Sequence, residues 1–125
     1  MRALLLDDSR AMRMILGRIL REHGAEVVEA CDGREALDVL AAGGPLPDVA
    51  LVDWNMPGMS GLEFVEAVRA DPAYQGLPLV MVTTESEHSQ VVRALEAGAN
   101  EYLFKPFTAE SLVGKLSMLG LSLVG

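Results

Sequence analysis

Four short apolar runs, each followed by a charged or hydroxyl side chain, constrain the fold of this chain more than any other feature. The runs cover residues 3–6, 49–52, 79–82 and 102–104. The polar residues that follow them are Asp7 and Asp8, Asp53, Thr83, and Lys105. Apolar runs of this length are typical of buried strands. A carboxylate at the end of a buried strand is costly unless a positive charge neutralises it, so these acids indicate a binding site.

Helical patterns alternate with these strands along the whole chain. Ser9 is a predicted N-cap, and the helix after it has apolar residues at helical spacing: Met12, Ile15, Leu16, Ile19 and Leu20. A second strand is predicted over residues 26–30. Further helices are predicted over about 34–42, from 62 up to a loop, over 87–97 and over 108–119, and that loop covers residues 71–78. The helix over 87–97 is expected to bury Val91, Val92 and Leu95. Five strand–helix units predict a three-layer α/β domain with a parallel sheet.

Composition excludes several classes of protein. The chain has 125 residues, enough for one domain with its own core. Eighteen acids against ten bases give a net charge of −8, which argues against sequence-independent binding of DNA or RNA. No apolar run is long enough to span a bilayer, and the N-terminus lacks the pattern of a secretory signal. The single cysteine, Cys31, is expected to be a small buried hydrophobe in a reducing compartment, which favours a cytoplasmic protein.

The polar residues at the strand ends favour one kind of chemistry. Because parallel strands end along one edge of a sheet, these side chains are expected to lie together there. Clustered carboxylates suit a hard divalent cation such as Mg²⁺. A hydroxyl and an ammonium, supplied by Thr83 and Lys105, suit the oxygens of a phosphoryl group.

Each of these residues also has a simpler interpretation when it is taken alone. The pair Asp7-Asp8 is compatible with a helix N-terminus, and Asp53 with the start of a turn. Thr83 is an ordinary strand residue by its type, and Lys105 an ordinary surface lysine. The four together, each at a strand end, favour a site instead.

Five motifs occur in a fixed order along the chain: Leu5-Leu6-Asp7-Asp8-Ser9, Asp53-Trp54-Asn55-Met56-Pro57-Gly58, Val82-Thr83-Thr84-Glu85, Gly98-Ala99 and Lys105-Pro106-Phe107. Together they resemble the two-component response-regulator receiver domain, and most of all its chemotaxis (CheY-like) single-domain members. The resemblance covers residues 1–125 as one receiver domain, with 120–125 as a tail or the start of a linker. It implies a doubly wound, flavodoxin-like sheet of five parallel strands in the order 2-1-3-4-5. It also implies a cis peptide bond before Pro106.

By this resemblance Asp53 is the phosphoacceptor, since a carboxylate oxygen can attack phosphorus to form an aspartyl phosphate. Asp8 and Asp53 would ligate Mg²⁺, with Mn²⁺ as a substitute, together with the backbone carbonyl of Asn55. Asp7 would act on the cation through a water molecule.

The resemblance also assigns the residues around the phosphoryl group. Thr83 would donate its hydroxyl to one phosphoryl oxygen, and Lys105 would pair with another. Thr83 and the aromatic Tyr102 would form the switch that responds to phosphorylation. Three further positions would tune the rates, namely Asn55, Thr84 and Glu85. Thr84 departs from the family, which more often has a smaller residue there, and its bulk is expected to narrow access to the phosphoryl group.

The function implied is a phosphorylation-activated signalling switch, in chemotaxis by the best specific match, and not an enzyme acting on an external substrate. Self-phosphorylation and autodephosphorylation would be intrinsic to it. A sensor histidine kinase or a phosphotransfer protein would supply the phosphoryl group. The chain is expected to be a monomer that binds neither nucleic acid nor membrane. Its output surface would include Glu96, Tyr102, Thr108 and Lys115, with a flagellar motor switch protein as the target.

The sequence is also compatible with other functions. One is a phosphorelay shuttle or the receiver domain of a longer regulator. Another, from a different class, is an Mg²⁺-dependent phosphatase with an Asp nucleophile. Such an enzyme usually has an acidic general acid two residues after the nucleophile, where this chain has Asn55. A receiver-like module that only binds partners is disfavoured, because every residue of the site is present.

Overall fold

The predicted strands form one parallel sheet. A computed structural model describes residues 1–84 and 88–121 of the chain. The strands are β1 (Arg2–Leu6), β2 (Glu26–Ala30), β3 (Val49–Asp53), β4 (Leu79–Thr84) and β5 (Glu101–Lys105). Their order across the sheet is β2-β1-β3-β4-β5, and every neighbouring pair is parallel. The predicted fold class and strand order are therefore confirmed.

A helix follows each strand. The helices are α1 (Arg10–Glu22), α2 (Gly33–Ala41), α3 (Gly61–Ala70), α4 (His88–Ala97) and α5 (Ala109–Met118). The predicted N-cap Ser9 accepts a hydrogen bond from the backbone N–H of Met12. The loop predicted between α3 and β4 contains a short 3-10 helix, Pro72–Tyr74, which the sequence pattern did not indicate. None of the helices in the described parts of the chain is long and apolar enough to cross a membrane.

The sheet separates two apolar cores, because successive side chains of a strand point to opposite faces. Leu4 and Leu6 of β1 join the core that also contains Phe64 of α3 and Ala94 of α4. The intervening Leu5 joins the core on the other face, where the buried helical residues come from α1 and α5: Leu16, Leu20, Leu112 and Leu116. The expected three layers are present, with α1 and α5 on one side of the sheet.

Two predictions about burial are wrong. On α4, Val91 and Ala94 are buried, whereas Val92 and Leu95 are 50% and 39% exposed. The helix packs on the sheet along one narrow stripe, and the residue next in sequence to a stripe residue lies about 100° around the axis. The periodicity of α4 predicts a helix, but it does not determine which of two adjacent apolar rows packs on the sheet.

Cys31 is exposed, contrary to the expectation of a buried hydrophobe. It follows the last residue of β2, which is an edge strand of the sheet. Its thiol donates a hydrogen bond to Oε2 of Glu35 at 3.2 Å, and this bond raises the pKa of Cys31. The side chain therefore packs along the start of α2 instead of entering a core.

Candidate functional site

The sheet brings the polar strand ends together at its carboxyl edge. Strand β3 lies between β1 and β4, with Asp53 opposite Val82 in the register of β4. The backbone N–H of Asp7 donates to the carbonyl of Ala30 at 3.2 Å, which extends the pairing of β1 and β2 by one residue. On the other side, Thr84 lies opposite Lys105 of β5. Residues far apart in the chain thus meet at one edge.

Three carboxylates form a cluster at this edge. Oxygen atoms of Asp7, Asp8 and Asp53 all lie within 4.8 Å of one another. Asp7 is 2% and Asp53 6% exposed, whereas Asp8 is exposed. The cluster therefore has a buried base and an open side, as a cation site that also admits a second ligand requires.

Lys105 provides the positive charge of the site. Its Nζ lies 3.1 Å from Oδ1 of Asp53 and 3.7 Å from Oδ2 of Asp7. The Lys105-Pro106 bond is cis, as predicted. The ammonium thus lies between the two buried carboxylates, and the interpretation of Lys105 as a free surface lysine is wrong.

The carboxylates fit a divalent cation. Within the described residues, Oδ2 of Asp7 is buried and has no hydrogen-bond donor. One lysine is in contact with two of the three acids, so the negative charge of the cluster is only partly neutralised. Burial, and then the charge of Asp7, raises the pKa of Asp53 to about 6, although Lys105 acts in the opposite direction. A hard cation would satisfy both a buried oxygen without a hydrogen-bond donor and an excess of negative charge.

The turn that carries Asn55 depends on a close approach of backbone segments. The N–H of Gly61 donates to the carbonyl of Trp54 at 3.0 Å. A Cβ atom on Gly61 would lie 2.4 Å from the carbonyl oxygen of Asp53, a distance that no side chain can occupy. Glycine at this position therefore lets α3 begin directly against the end of β3. Asn55 itself is exposed on the turn.

The two threonines at the end of β4 belong to opposite faces of the sheet. Thr83 is 2% exposed, and by strand alternation it shares the face of Met81, the side of α3 and α4. By the same alternation, Thr84 lies on the face of Val82, the side of α1 and α5. Lys105, opposite Thr84, lies on that face too, because Leu103 does. Glu85, the third predicted tuning residue, lies outside the described residues.

Tyr102 of β5 contacts one aromatic ring and one ammonium group. Its ring centroid is 4.9 Å from that of Phe104, and Nζ of Lys115 lies 4.4 Å from the Tyr102 centroid. The same ammonium is 3.2 Å from Oε1 of Glu101, which also accepts from the Tyr102 N–H. Of the predicted output residues, Tyr102 and Lys115 are in contact. Glu101 was not predicted, because an ion pair between β5 and α5 leaves no local sequence signal.

The chain was compared with known proteins. Residues 3–117 match the response regulator receiver domain family. The chain is 42% identical over 120 residues to the chemotaxis protein CheY of Pseudomonas aeruginosa, covering 95% of each chain. It resembles the solved structure of the chemotaxis response regulator CheY4 of Vibrio cholerae, with a TM-score of 0.86, 38% identity, and coverage of 94% of this chain and 97% of that one.

A second solved structure is longer than this chain. It is a probable two-component response regulator/GGDEF domain protein, with a TM-score of 0.88 and 32% identity. The match covers 94% of this chain but 48% of the other. The same fold therefore occurs as one part of a larger protein. Because the family match spans most of the chain and the relatives share its fold, the chain belongs to the response regulator receiver domain family.

Proposed function

We propose that this protein is a phosphorylation-controlled switch in which Asp53 accepts a phosphoryl group. The observation that supports this most directly is the position of Asp53, buried beside two further carboxylates with an ammonium 3.1 Å away. Phosphoryl transfer depends on alignment and on neutralising the charge of the phosphoryl oxygens. Three groups meet at this site: a carboxylate that would attack phosphorus, an acidic cluster that would hold a cation, and a lysine that would pair with the phosphoryl oxygens.

In the proposed reaction an oxygen of Asp53 forms a bond to phosphorus, and the bond from phosphorus to the donor breaks. The donor is a phosphohistidine of a sensor kinase or phosphotransfer protein, or a small acyl phosphate, and it leaves with the electron pair of the broken bond. Asp8, Asp53 and the carbonyl of Asn55 would hold Mg²⁺, with Asp7 acting through water. The cation would neutralise charge on the transferred group.

The remaining residues would convert the new charge into a signal. An aspartyl phosphate carries close to two negative charges where the carboxylate of Asp53 carried one, and Lys105 is already in place to pair with it. The Thr83 hydroxyl would bind another phosphoryl oxygen, and Tyr102 would move with it. The output surface would comprise α4, β5 and α5, including Glu96, Tyr102, Thr108 and Lys115. Asn55, Thr84 and Glu85 would set the phosphoryl lifetime.

Chemotaxis is the specific role that the relatives support best, because a protein that matches this chain over 95% of each length is named for it. The protein would act in the cytoplasm. The output target would then be a flagellar motor switch protein. One receiver domain would occupy residues 1–125, with 120–125 as a tail or the start of a linker. The match to part of a longer regulator favours a second candidate, a receiver domain that controls an attached output domain.

Labelling with an acyl phosphate tests the proposal. Wild type incubated with acetyl phosphate and Mg²⁺ should gain one phosphoryl mass by intact-mass measurement, and Asp53→Asn should gain none. Asp38→Asn is the matched control, since Asp38 is an exposed aspartate on α2, and it should be labelled like wild type. Normal labelling of Asp53→Asn would refute the assignment of the phosphoacceptor.

A further inference from the structure

The backbone and side chain of Asp7 are held from three directions. Its N–H donates to Ala30, its side-chain Oδ1 accepts from the N–H of Ser9 at 2.8 Å, and its carbonyl accepts from Nη1 of Arg13 at 2.5 Å. Its remaining polar atom, Oδ2, is buried without a hydrogen-bond donor among the described residues and lies 3.7 Å from Nζ of Lys105. The direction of that oxygen therefore depends on the three bonds that fix the rest of the residue.

Arg13 is itself held in place by a partner outside the site. Its Nε lies 3.1 Å from Oε1 of Glu29 on β2, and its side chain is only 15% exposed. A guanidinium is planar, so one group that binds both Glu29 and the Asp7 carbonyl fixes their relative position. These two contacts of Arg13 connect Glu29 on β2 with the segment after β1 that contains Asp7 and Asp8.

We propose that Arg13 is a positioning residue of the cation site. Held by Glu29, its guanidinium fixes the carbonyl of Asp7 and so orients the carboxylates of Asp7 and Asp8. Residues that orient metal ligands in this way contribute to metal affinity without touching the metal. The inference rests on the cation site in the proposed function.

The charge of Arg13 predicts the opposite effect, which makes the proposal testable. A positive guanidinium near a cation site repels the cation, so removing the charge alone should strengthen binding. Loss of positioning should weaken it. Arg13→Gln removes both the charge and the planar guanidinium. Arg13→Lys keeps the charge but lacks the rigid, planar set of donors that fixes the two partners relative to each other.

The experiment is an Mg²⁺ titration monitored by the fluorescence of Trp54 and by calorimetry. It compares four proteins: wild type, Arg13→Lys, Arg13→Gln and Arg21→Gln. Arg21 is the matched control, because its Nη2 lies 3.6 Å from Oε2 of the same Glu29 but it is not among the donors to Asp7 in the described residues. We expect the Kd for Mg²⁺ to rise about tenfold in Arg13→Gln, the lower end of the effect of removing a residue that orients metal ligands. Arg13→Lys should also bind more weakly, and Arg21→Gln should bind like wild type.

A second measurement needs no metal. Amide hydrogen exchange at Ser9 should become faster in both Arg13 variants and stay unchanged in Arg21→Gln, because the Ser9 N–H bond depends on the orientation of Asp7. Urea unfolding shows that the variants are folded. Equal or tighter Mg²⁺ binding by Arg13→Gln would overturn the positioning role. An absence of Mg²⁺ binding by wild type would instead overturn the proposed cation site, and the role of Arg13 in it.

Discussion

The ammonium nitrogen of Lys105 lies 3.1 Å from Oδ1 of Asp53, although 52 positions separate the two residues in the chain. The pair is largely buried, and Asp7 is a second carboxylate within 3.7 Å of the same nitrogen. The lysine is therefore in position to pair with a phosphoryl group on Asp53, as the proposed function requires. Its contact with Asp53 makes it the first residue expected to respond when that carboxylate is modified.

Lys105→Ala should still accept a phosphoryl group but should signal poorly. The variant keeps all three carboxylates, so it should still be labelled by acetyl phosphate with Mg²⁺. Without the ammonium that lowers the pKa of Asp53, the pH at which labelling is half-maximal should rise. Binding of an output target by the labelled variant should be weak. Target binding equal to that of phosphorylated wild type would show that Lys105 is not part of the switch.

The raised pKa of Asp53 predicts that the free energy of unfolding falls as the pH rises. The pKa is about 6 in the folded protein and near 3.8 in the unfolded chain, so the folded state binds this proton more tightly. The resulting stabilisation is complete below about pH 4 and is lost as the pH rises through 6. In a chelating buffer at pH 8, Asp53→Asn should therefore be more stable to urea than wild type, by about 2–3 kcal/mol.

The pH and metal dependence are the controls for this prediction. The difference in free energy of unfolding between Asp53→Asn and wild type should fall towards zero near pH 4, where the wild-type carboxyl is protonated. At pH 8, Mg²⁺ should reduce the difference in stability between the two proteins, because it should bind wild type more tightly than a variant that lacks the Asp53 carboxylate. A constant difference from pH 4 to pH 8 would mean that Asp53 titrates normally.

Mg²⁺ should bind through Asp8 as well as Asp53. Trp54 directly follows Asp53 and is 7% exposed, so a bound cation should quench its fluorescence. Asp8→Asn removes a charged ligand and should weaken the response, whereas Asp38→Asn on the surface of α2 should titrate like wild type. Identical titrations of Asp8→Asn and wild type would exclude Asp8 as a ligand.

Thr84→Ala should speed both phosphorylation by small donors and loss of the phosphoryl group. Thr84 lies opposite Lys105 in the β4–β5 register and alternates onto the same face of the sheet. An attacking water and an incoming donor share the in-line approach to phosphorus. A threefold change in each rate corresponds to about 0.7 kcal/mol of barrier, a reasonable scale for one steric contact.

Thr84→Val is the control for the steric interpretation. Valine has the size of threonine without the hydroxyl, so its rates should match those of wild type. Both rates should be measured at fixed Mg²⁺. If the two rates move in opposite directions in Thr84→Ala, or if neither moves, a simple steric gate is wrong.

Arg69 should contribute strongly to stability. Its guanidinium donates five hydrogen bonds, to the carbonyls of Tyr74, Gln75, Leu77 and Gly98 and to Oδ1 of Asn100. Arg69→Met keeps the packing stem but removes these five bonds. The Tyr74 carbonyl and Oδ1 of Asn100 keep a backbone N–H as donor, from Leu77 and Leu79 respectively, whereas the carbonyls of Gln75, Leu77 and Gly98 lose the guanidinium. Urea unfolding should show a loss of about 2–4 kcal/mol, since each unsatisfied buried group costs about 1–3 kcal/mol and some acceptors will reach water. Arg18→Met, at an exposed position of α1, should change stability little.

Local patterns of residues establish the alternation of strands and helices and the polar residues at the strand ends. Both are local: periodicity sets each element, and the residue after an apolar run marks its end. The strand order and the roles of Asp53 and Lys105 came from motifs that resemble a family. Their meeting at the carboxyl edge was then expected, because parallel strands end on one side.

Three features depend on the packing of elements that are distant in the chain: which apolar row of α4 is buried, why Cys31 stays exposed, and which charged residues are paired. Val92 and Leu95 have the same periodicity as buried residues, and only packing on the sheet distinguishes them. The contacts of Arg13 with Glu29 and Asp7, of Lys115 with Glu101, and of Arg69 with five acceptors join different elements. Such contacts depend on where helices come to rest on the sheet, which no local pattern of residues encodes.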